Sequence, residues 1–296
     1  MTEQRPRNIE EYLAQLRAAL AGEDPALIQD AMYDAEEYLR AEINAHLDRP
    51  QSEVIADIVR SYGAPDEVAD IYRKTEATVE KALATPKPVK SSSVWGRFFG
   101  VYADVRSWSS LFYMLLAGAT GWFYFTWTIT GWSVSLGLLI LIIGIPLLLL
   151  FMGATRLLSL LEGRLVEVML QVRMPRRPVY QQRDLGLFAR IGNMLSDGRT
   201  WSTFCYMILM LPLGIIYFTI VVTGLSIFVP MVFAPTLYFG INIDWGWYDN
   251  DMPYWATFFV SLLGILGLTV FMHLVRGIGH VHGQLAKSLL VRVEPD

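Results

Sequence analysis

The sequence predicts an all-α polytopic membrane protein: a small helical head followed by four transmembrane helices in two repeated hairpins. Three observations lead there. First, 53% of the 296 residues are hydrophobic, mean hydropathy is +0.37, and the apolar residues crowd together after residue 107. Uninterrupted apolar stretches there run to about 20 residues, enough to cross a hydrocarbon core of about 30 Å. Second, that half of the chain is written twice. Residues 104–133 and 197–226 align 93 positions apart, pairing Arg106 with Arg199, Trp108 with Trp201, Tyr113-Met114 with Tyr206-Met207 and Gly121 with Gly214. The same spacing pairs Tyr124-Phe125-Thr126 with Tyr217-Phe218-Thr219 and Thr130-Gly131 with Thr223-Gly224. The likeness resumes 120 positions apart, pairing Phe151-Met152 with Phe271-Met272, Arg156 with Arg276 and Gly163 with Gly283, so the second copy holds 27 extra residues. Such a repeat has to be recognised before any fold is assigned. Third, the first hundred residues are polar, helical in pattern and lack an apolar run, so no signal peptide is expected.

The head, residues 1–85, reads as four helices. Asn8 with Glu11 forms a capping box for a helix through Leu20, and Ile9, Tyr12, Leu13, Leu16 and Leu20 fall on one stripe. Asp24-Pro25 is an N-cap followed by a first-turn proline, opening a long helix to about Leu47. Gln51 to Ser61 is short; Gly63 ends it, and Ala64-Pro65-Asp66 opens the fourth helix towards Leu83. Residues 86–97, with Pro86, Pro88 and three serines, are a linker.

Four spans follow, at roughly Ser109–Thr130, Ser133–Gly153, Trp201–Thr223 and Trp255–Val275. Hairpin repeat 1 takes residues 98–175, a connection takes 176–195, and repeat 2 takes 196–296 with an insertion at 230–256. Arginines gather between the second and third spans, and Lys87, Lys90, Arg97, Arg106, Arg276, Lys287 and Arg292 flank the first and fourth. The turn at Thr130-Gly131-Trp132 and the connection from Tyr238 to Tyr254 carry neither Lys nor Arg. This asymmetry predicts both termini and the middle connection on the cytoplasmic side. Each copy then enters and leaves on one side, so the copies are expected to be parallel, about an axis along the membrane normal. Pro230 and Pro235 are expected to break the third span.

Several groups could carry binding. Arg106 and Arg199 each stand two residues before a tryptophan at the start of a span. They read as snorkelling anchors or, with Arg156 and Arg276, as contacts for anionic lipid headgroups. The insertion, facing away from the cytoplasm, sets Asp244, Asp249 and Asp251 among Trp245 and Trp247. That is either an aromatic belt with solvated acids or a site for a cationic amphiphile or divalent ion. After each hairpin a mixed segment continues; in the first, Leu157, Leu160, Leu161, Leu165, Val168 and Met169 share a side, with Glu162 elsewhere. His280 and His282, two residues apart, face different sides of a helix and read as headgroup-level or solvated. The spans themselves contain no Asp, Glu, Lys or Arg, which argues against an ion-coupled carrier. Cys205 is the only cysteine, which excludes an intrachain disulfide.

Residues 12–20 (Y-L-x-x-L-x-x-x-L), D-A-E-E-Y-L from Asp34, and above all S-Y-G-A-P-D-E-V-A-D-I-Y from Ser61 to Tyr72 resemble the HAAS domain. That is a small helical signalling module of bacterial membrane proteins, also seen beside PadR-type regulators. The resemblance implies a docking role for Tyr38, Pro65, Glu67 and Tyr72, although Gly63 and Pro65 have structural reasons to be there. The segment from Arg156 to Leu170 and its second copy from Arg276 are similar to the four-span "putative sensor" domain of bacterial histidine kinases. No kinase motif accompanies it, so the resemblance implies a sensing or partner-binding membrane module.

Residues 1–85 hold 18 acidic and 9 basic side chains, within a net charge of −4. An acidic head beside an anionic membrane suits a cytoplasmic protein partner and membrane lipid, with no direct binding of nucleic acid. Self-association into a homo-oligomer is left open. No motif assembles a nucleophile, base and orienter, and no cofactor or metal is expected. The sequence thus predicts a non-enzymatic sensor or regulatory protein of the bacterial cytoplasmic membrane; the alternative is a membrane subunit of a transport or lipid-handling system.

Overall fold

The computed structural model describes residues 5–83, 93–141, 143–176, 187–240 and 253–291, and all of their regular structure is helical. The head consists of α1 (Ile9–Ala19), α2 (Pro25–Ala45), α3 (Gln51–Ser61) and α4 (Pro65–Leu83). Asn8 and Asp24 cap α1 and α2 by accepting from the backbone N–H of Glu11 and Ala26. Gly63 sits at φ +115°, a backbone conformation that costs glycine no Cβ clash, and it reverses the chain between α3 and α4. Its carbonyl accepts from the buried Tyr12 hydroxyl at 2.9 Å, tying α1 to that turn. Tyr12, Leu16, Leu39, Ile55 and Ile58 form an apolar centre, and the charged residues other than Asp30 lie outside it.

The second part begins with α5 (Val94–Phe99) and a 3-10 turn, Gly100–Tyr102. Four long helices follow: α6 (Val105–Gly137), α7 (Gly144–Leu170), α9 (Gly198–Val232) and α11 (Tyr254–Leu290). Short helices α8 (Leu187–Ser196) and α10 (Ala234–Gly240) precede α9 and α11. All four long helices have the length and apolarity to cross a membrane. The helices outrun the predicted spans. Thr130-Gly131-Trp132 is not the turn but lies inside α6, where the missing side chain of Gly131 makes room for the Phe151 ring. The 3-10 turn Leu138–Leu141 closes α6 instead, before α7 begins at Gly144. Pro230 lies inside α9 without breaking it; the chain bends three residues later, where Pro235 enters the first turn of α10.

The two hairpins are not parallel. Along α6 and α9, Trp132 meets Trp201, Thr128 meets Met207, Gly121 meets Met210 and Ala117 meets Gly214. One number rises as the other falls, so these helices are antiparallel. Along α6 and α11, Asp104 meets Arg276, Arg106 meets His280 and Tyr113 meets His282, which is a parallel pairing. Gly121 on the Met210 carbonyl and Gly214 on the Ala117 carbonyl are the same contact made twice, since each pair is 93 residues from its twin. A reciprocal contact of this kind defines a pseudo-twofold axis, here across the helices rather than along them. The repeat is therefore inverted. Glycine at 121 and 214 lets α6 and α9 touch backbone to backbone, an interface with more to offer than matched charge on one side.

Polarity is turned inside out relative to the head. The buried stripe of α7 runs Phe151, Met152, Thr155, Ser159, Glu162, Gly163, Val166 and Leu170. Leu157, Leu161 and Val168, on the apolar side read from the sequence, are 69%, 55% and 75% exposed. Large apolar side chains facing out around an interior that mixes apolar residues with Thr155, Ser159 and Glu162 are stable only where the surroundings are hydrocarbon.

Candidate functional site: a buried carboxylate at the repeat axis

Near the pseudo-twofold axis lies Glu162, 1% exposed, and His282, also 1% exposed. Tyr113 and Tyr206 donate to Glu162 Oε1 at 2.6 and 2.8 Å, and Tyr124 donates to Oε2 at 2.9 Å. His282 Nε2 lies 2.6 Å from the Tyr113 oxygen and 3.2 Å from that of Tyr206, while Nδ1 is 3.2 Å from Tyr217. A phenol that gives its proton to the carboxylate can only accept from the ring. The network therefore assigns the proton of His282 to Nε2 and leaves Nδ1 to accept from Tyr217. Each carboxylate oxygen and each ring nitrogen has a partner, as a buried polar group requires.

The cluster is built from twins. Tyr113 and Tyr206 are 93 residues apart, as are Tyr124 and Tyr217, and Glu162 and His282 are 120 apart. One copy supplies the acceptor and the other the imidazole. All four helices contribute, so the cluster pins both hairpins to one another. It also corrects two expectations: the long helix α7 does bury an ionisable group, and His282 is buried rather than solvated.

The cluster is connected to the head. Gln171, in the left-handed region at φ 57°, ends α7 and turns the chain into a strap, residues 171–176. Val172 and Met174 on the strap are buried, and Met174 lies over Gly163, beside Glu162. Val172 packs on Gly283, beside His282. Between them Arg173 points into the head, bonding Glu76 at 2.5 Å and Asp30 at 3.0 Å. Burial opposes the charge on Arg173, yet the bonds to Glu76 and Asp30 hold its pKa above the ordinary guanidinium value. The backbone N–H of Arg176 also donates to Asp30, at 2.6 Å, and Lys287 of α11 pairs with Asp24 at the start of α2. The head thus touches the ends of both hairpins.

The residues singled out in the sequence are spread more widely. Arg276 pairs with the N-cap Asp104 of α6 at 3.0 Å, and its twin Arg156 with the N-cap Asp197 of α9 at 3.7 Å. Arg106 donates to the Leu170 carbonyl and meets His280, both at 3.3 Å, and Arg199 lines a pocket with Arg156. Trp108 and Trp201 donate to the carbonyls of Tyr102 and Leu195, closing the turn before each span. In the head, Pro65 is buried, and Glu67 accepts from the Ala64 N–H at 3.0 Å. Tyr38 stacks on Tyr62 at 4.5 Å, and Tyr72 donates to Asp34 at 2.8 Å. Burial, then the bond to Asp34, pushes the Tyr72 phenol above its ordinary range. These four make contacts that hold the head together. Asp244, Trp245, Trp247, Asp249 and Asp251 lie outside the described residues.

Glu162 and His282 were missed because each was judged on its own helix. The signal was present: the spacing that pairs Gly163 with Gly283 also pairs the residues just before them. A HAAS family model matches residues 11–71, and a model described as "Putative sensor" matches residues 113–290, more than half of the chain. No curated protein and no solved structure matches. A multi-pass membrane protein with a HAAS domain at its head, the chain belongs to the "Putative sensor" family.

Proposed function

We propose that this chain is a non-enzymatic regulatory protein of the bacterial cytoplasmic membrane, which passes changes in hairpin packing to a cytoplasmic partner through its acidic head. The head and the start of α6 lie on the cytoplasmic side in this reading. Two features support that placement: the basic residues that flank the start of α6 and the end of α7, and the salt bridges that hold the head against the strap. The observation that carries the functional reading is the strap. It lies over the glycines adjoining Glu162 and His282, and it holds the head through Arg173. Repacking of the hairpins would move Val172 and Met174, and with them the salt bridges to Asp30 and Glu76. A ligand that favours one packing would then shift the head's state.

Hydrogen exchange on the full-length protein in nanodiscs tests this. Glu162→Gln removes one acceptor from the cluster and should speed exchange in α2 and α4, although it touches neither. Unchanged head protection in that variant, beside faster exchange in α6 and α9, would reject the relay.

A second reading has one specific observation in its favour. An inverted repeat with an ionisable pair at its interface is also the plan of many secondary transporters. Solute or lipid flux in proteoliposomes that Glu162→Gln abolishes would support a transport role over regulation.

A further inference from the structure

Two copies of one motif give the molecule its own control. Each long first helix opens with Asp-x-Arg-x-Trp, the Asp as N-cap, and each receives an arginine from the second helix of the other hairpin. At the start of α6 this junction is closed. Arg276 reaches Asp104 at 3.0 Å, and Arg106 meets the Leu170 carbonyl and His280. Gly279 lies so close to Ser110 that an added Cβ would sit 2.6 Å from the serine Oγ.

At the start of α9 the junction is open. Ser159 stands where the twin has Gly279, and Thr203 where it has Ser110, so both positions carry larger side chains here. A pocket lies here, lined by Arg156, Arg199, Ser159, Thr200, Thr203 and Asp197, with Leu160 and Phe204 among its apolar walls. Arg156 stays 3.7 Å from Asp197, a looser pair than its twin. Thr200, 9% exposed and also lining the pocket, has a buried Oγ1 with no hydrogen-bond partner. A buried hydroxyl left without a partner carries a penalty that a ligand oxygen would remove.

We propose that this pocket binds a phosphate group, carried either by an anionic lipid headgroup or by free phosphate. The chemistry fits on three counts. Two guanidiniums offer forked donors suited to phosphate oxygens. The N-terminus of the 35-residue α9 adds the positive end of its dipole. With two arginines against one aspartate, the pocket keeps a net positive charge. The proposal is independent of whether the protein signals or transports.

The test uses full-length protein in nanodiscs, with quenching of Trp201 beside the pocket by brominated phosphatidylglycerol, brominated phosphatidylcholine as reference, and inorganic phosphate as competitor. Arg156→Gln or Arg199→Gln should weaken phosphatidylglycerol binding roughly tenfold or more, the scale of one charge-assisted hydrogen bond. Thr200→Val, a mild change of similar shape, should weaken it a few-fold at unaltered thermal stability, which separates binding from folding. Arg276→Gln and Arg106→Gln, at the closed twin, should leave it within about twofold. Loss of quenching on adding phosphate assigns the site to free phosphate; quenching that phosphate does not displace assigns it to lipid. Equal quenching by both lipids with no effect of phosphate, or equal losses at the two junctions, would overturn the proposal.

Discussion

The head and the membrane bundle solve the same packing problem with opposite materials. In the head, Leu16, Leu39 and Ile55 are buried, and the charged residues other than Asp30 ring the outside. In the bundle, Glu162, His282 and a set of serines and threonines are buried among methionines, tyrosines and other apolar residues, and many leucines, phenylalanines and tryptophans face out. The difference lies in the surroundings. Water drives apolar groups inward in the head, whereas lipid gives them no such drive. Association of the long helices then rests on close backbone approach and on hydrogen bonds that lipid cannot supply.

That contrast can be broken most severely at its extreme point. Glu162→Ala strands three buried tyrosine hydroxyls, and should cost about 3 kcal/mol or more, read as denaturant unfolding in detergent. Wild-type stability in that variant would mean the bundle does not depend on its polar centre. Leu16→Ala, the corresponding deletion from the head, should cost about 2–5 kcal/mol by leaving a cavity, monitored by circular dichroism of the full chain. Gly214→Ala forces a methyl against the Ala117 carbonyl and should cost about 1–3 kcal/mol, with Gly121→Ala matching it because the contact is reciprocal. A marked inequality between those two would argue against the twofold relation. Smallest of all, Leu157→Ala on the lipid face should change stability by less than about 0.5 kcal/mol, although it removes the same atoms as Leu16→Ala.

Much of this was legible from residue order alone, and the reasons are local. Asn8, Asp24-Pro25 and Gly63-Ala64-Pro65 mark helix ends through short-range chemistry, so the head's boundaries could be read almost to the residue. The number of long helices followed from length and apolarity. What resisted reading depended on contacts between distant segments. Thr130-Gly131 has the composition of a turn, and only the Phe151 ring lying over it makes Gly131 a packing residue. The stripe of leucines on α7 looks the same whether it faces protein or lipid, so it does not say that the opposite side, with Glu162, is the buried one. Relative direction of the hairpins is a property of the Gly121 and Gly214 contacts, which no charge count contains. Arg156 and Arg199 were flagged, but the pocket they share is also lined by Ser159 and Thr203, residues with no distinguishing signal of their own.

The twinned origin of the buried cluster has one more consequence. Had a single hairpin merely dimerised, the point now held by Glu162 and His282 would have received two carboxylates or two imidazoles. Like groups pressed together in so dry a place repel or stay unmatched. A repeat carried on one polypeptide can place different residues at its equivalent positions, so Glu162 supplies a carboxylate where His282 supplies an imidazole.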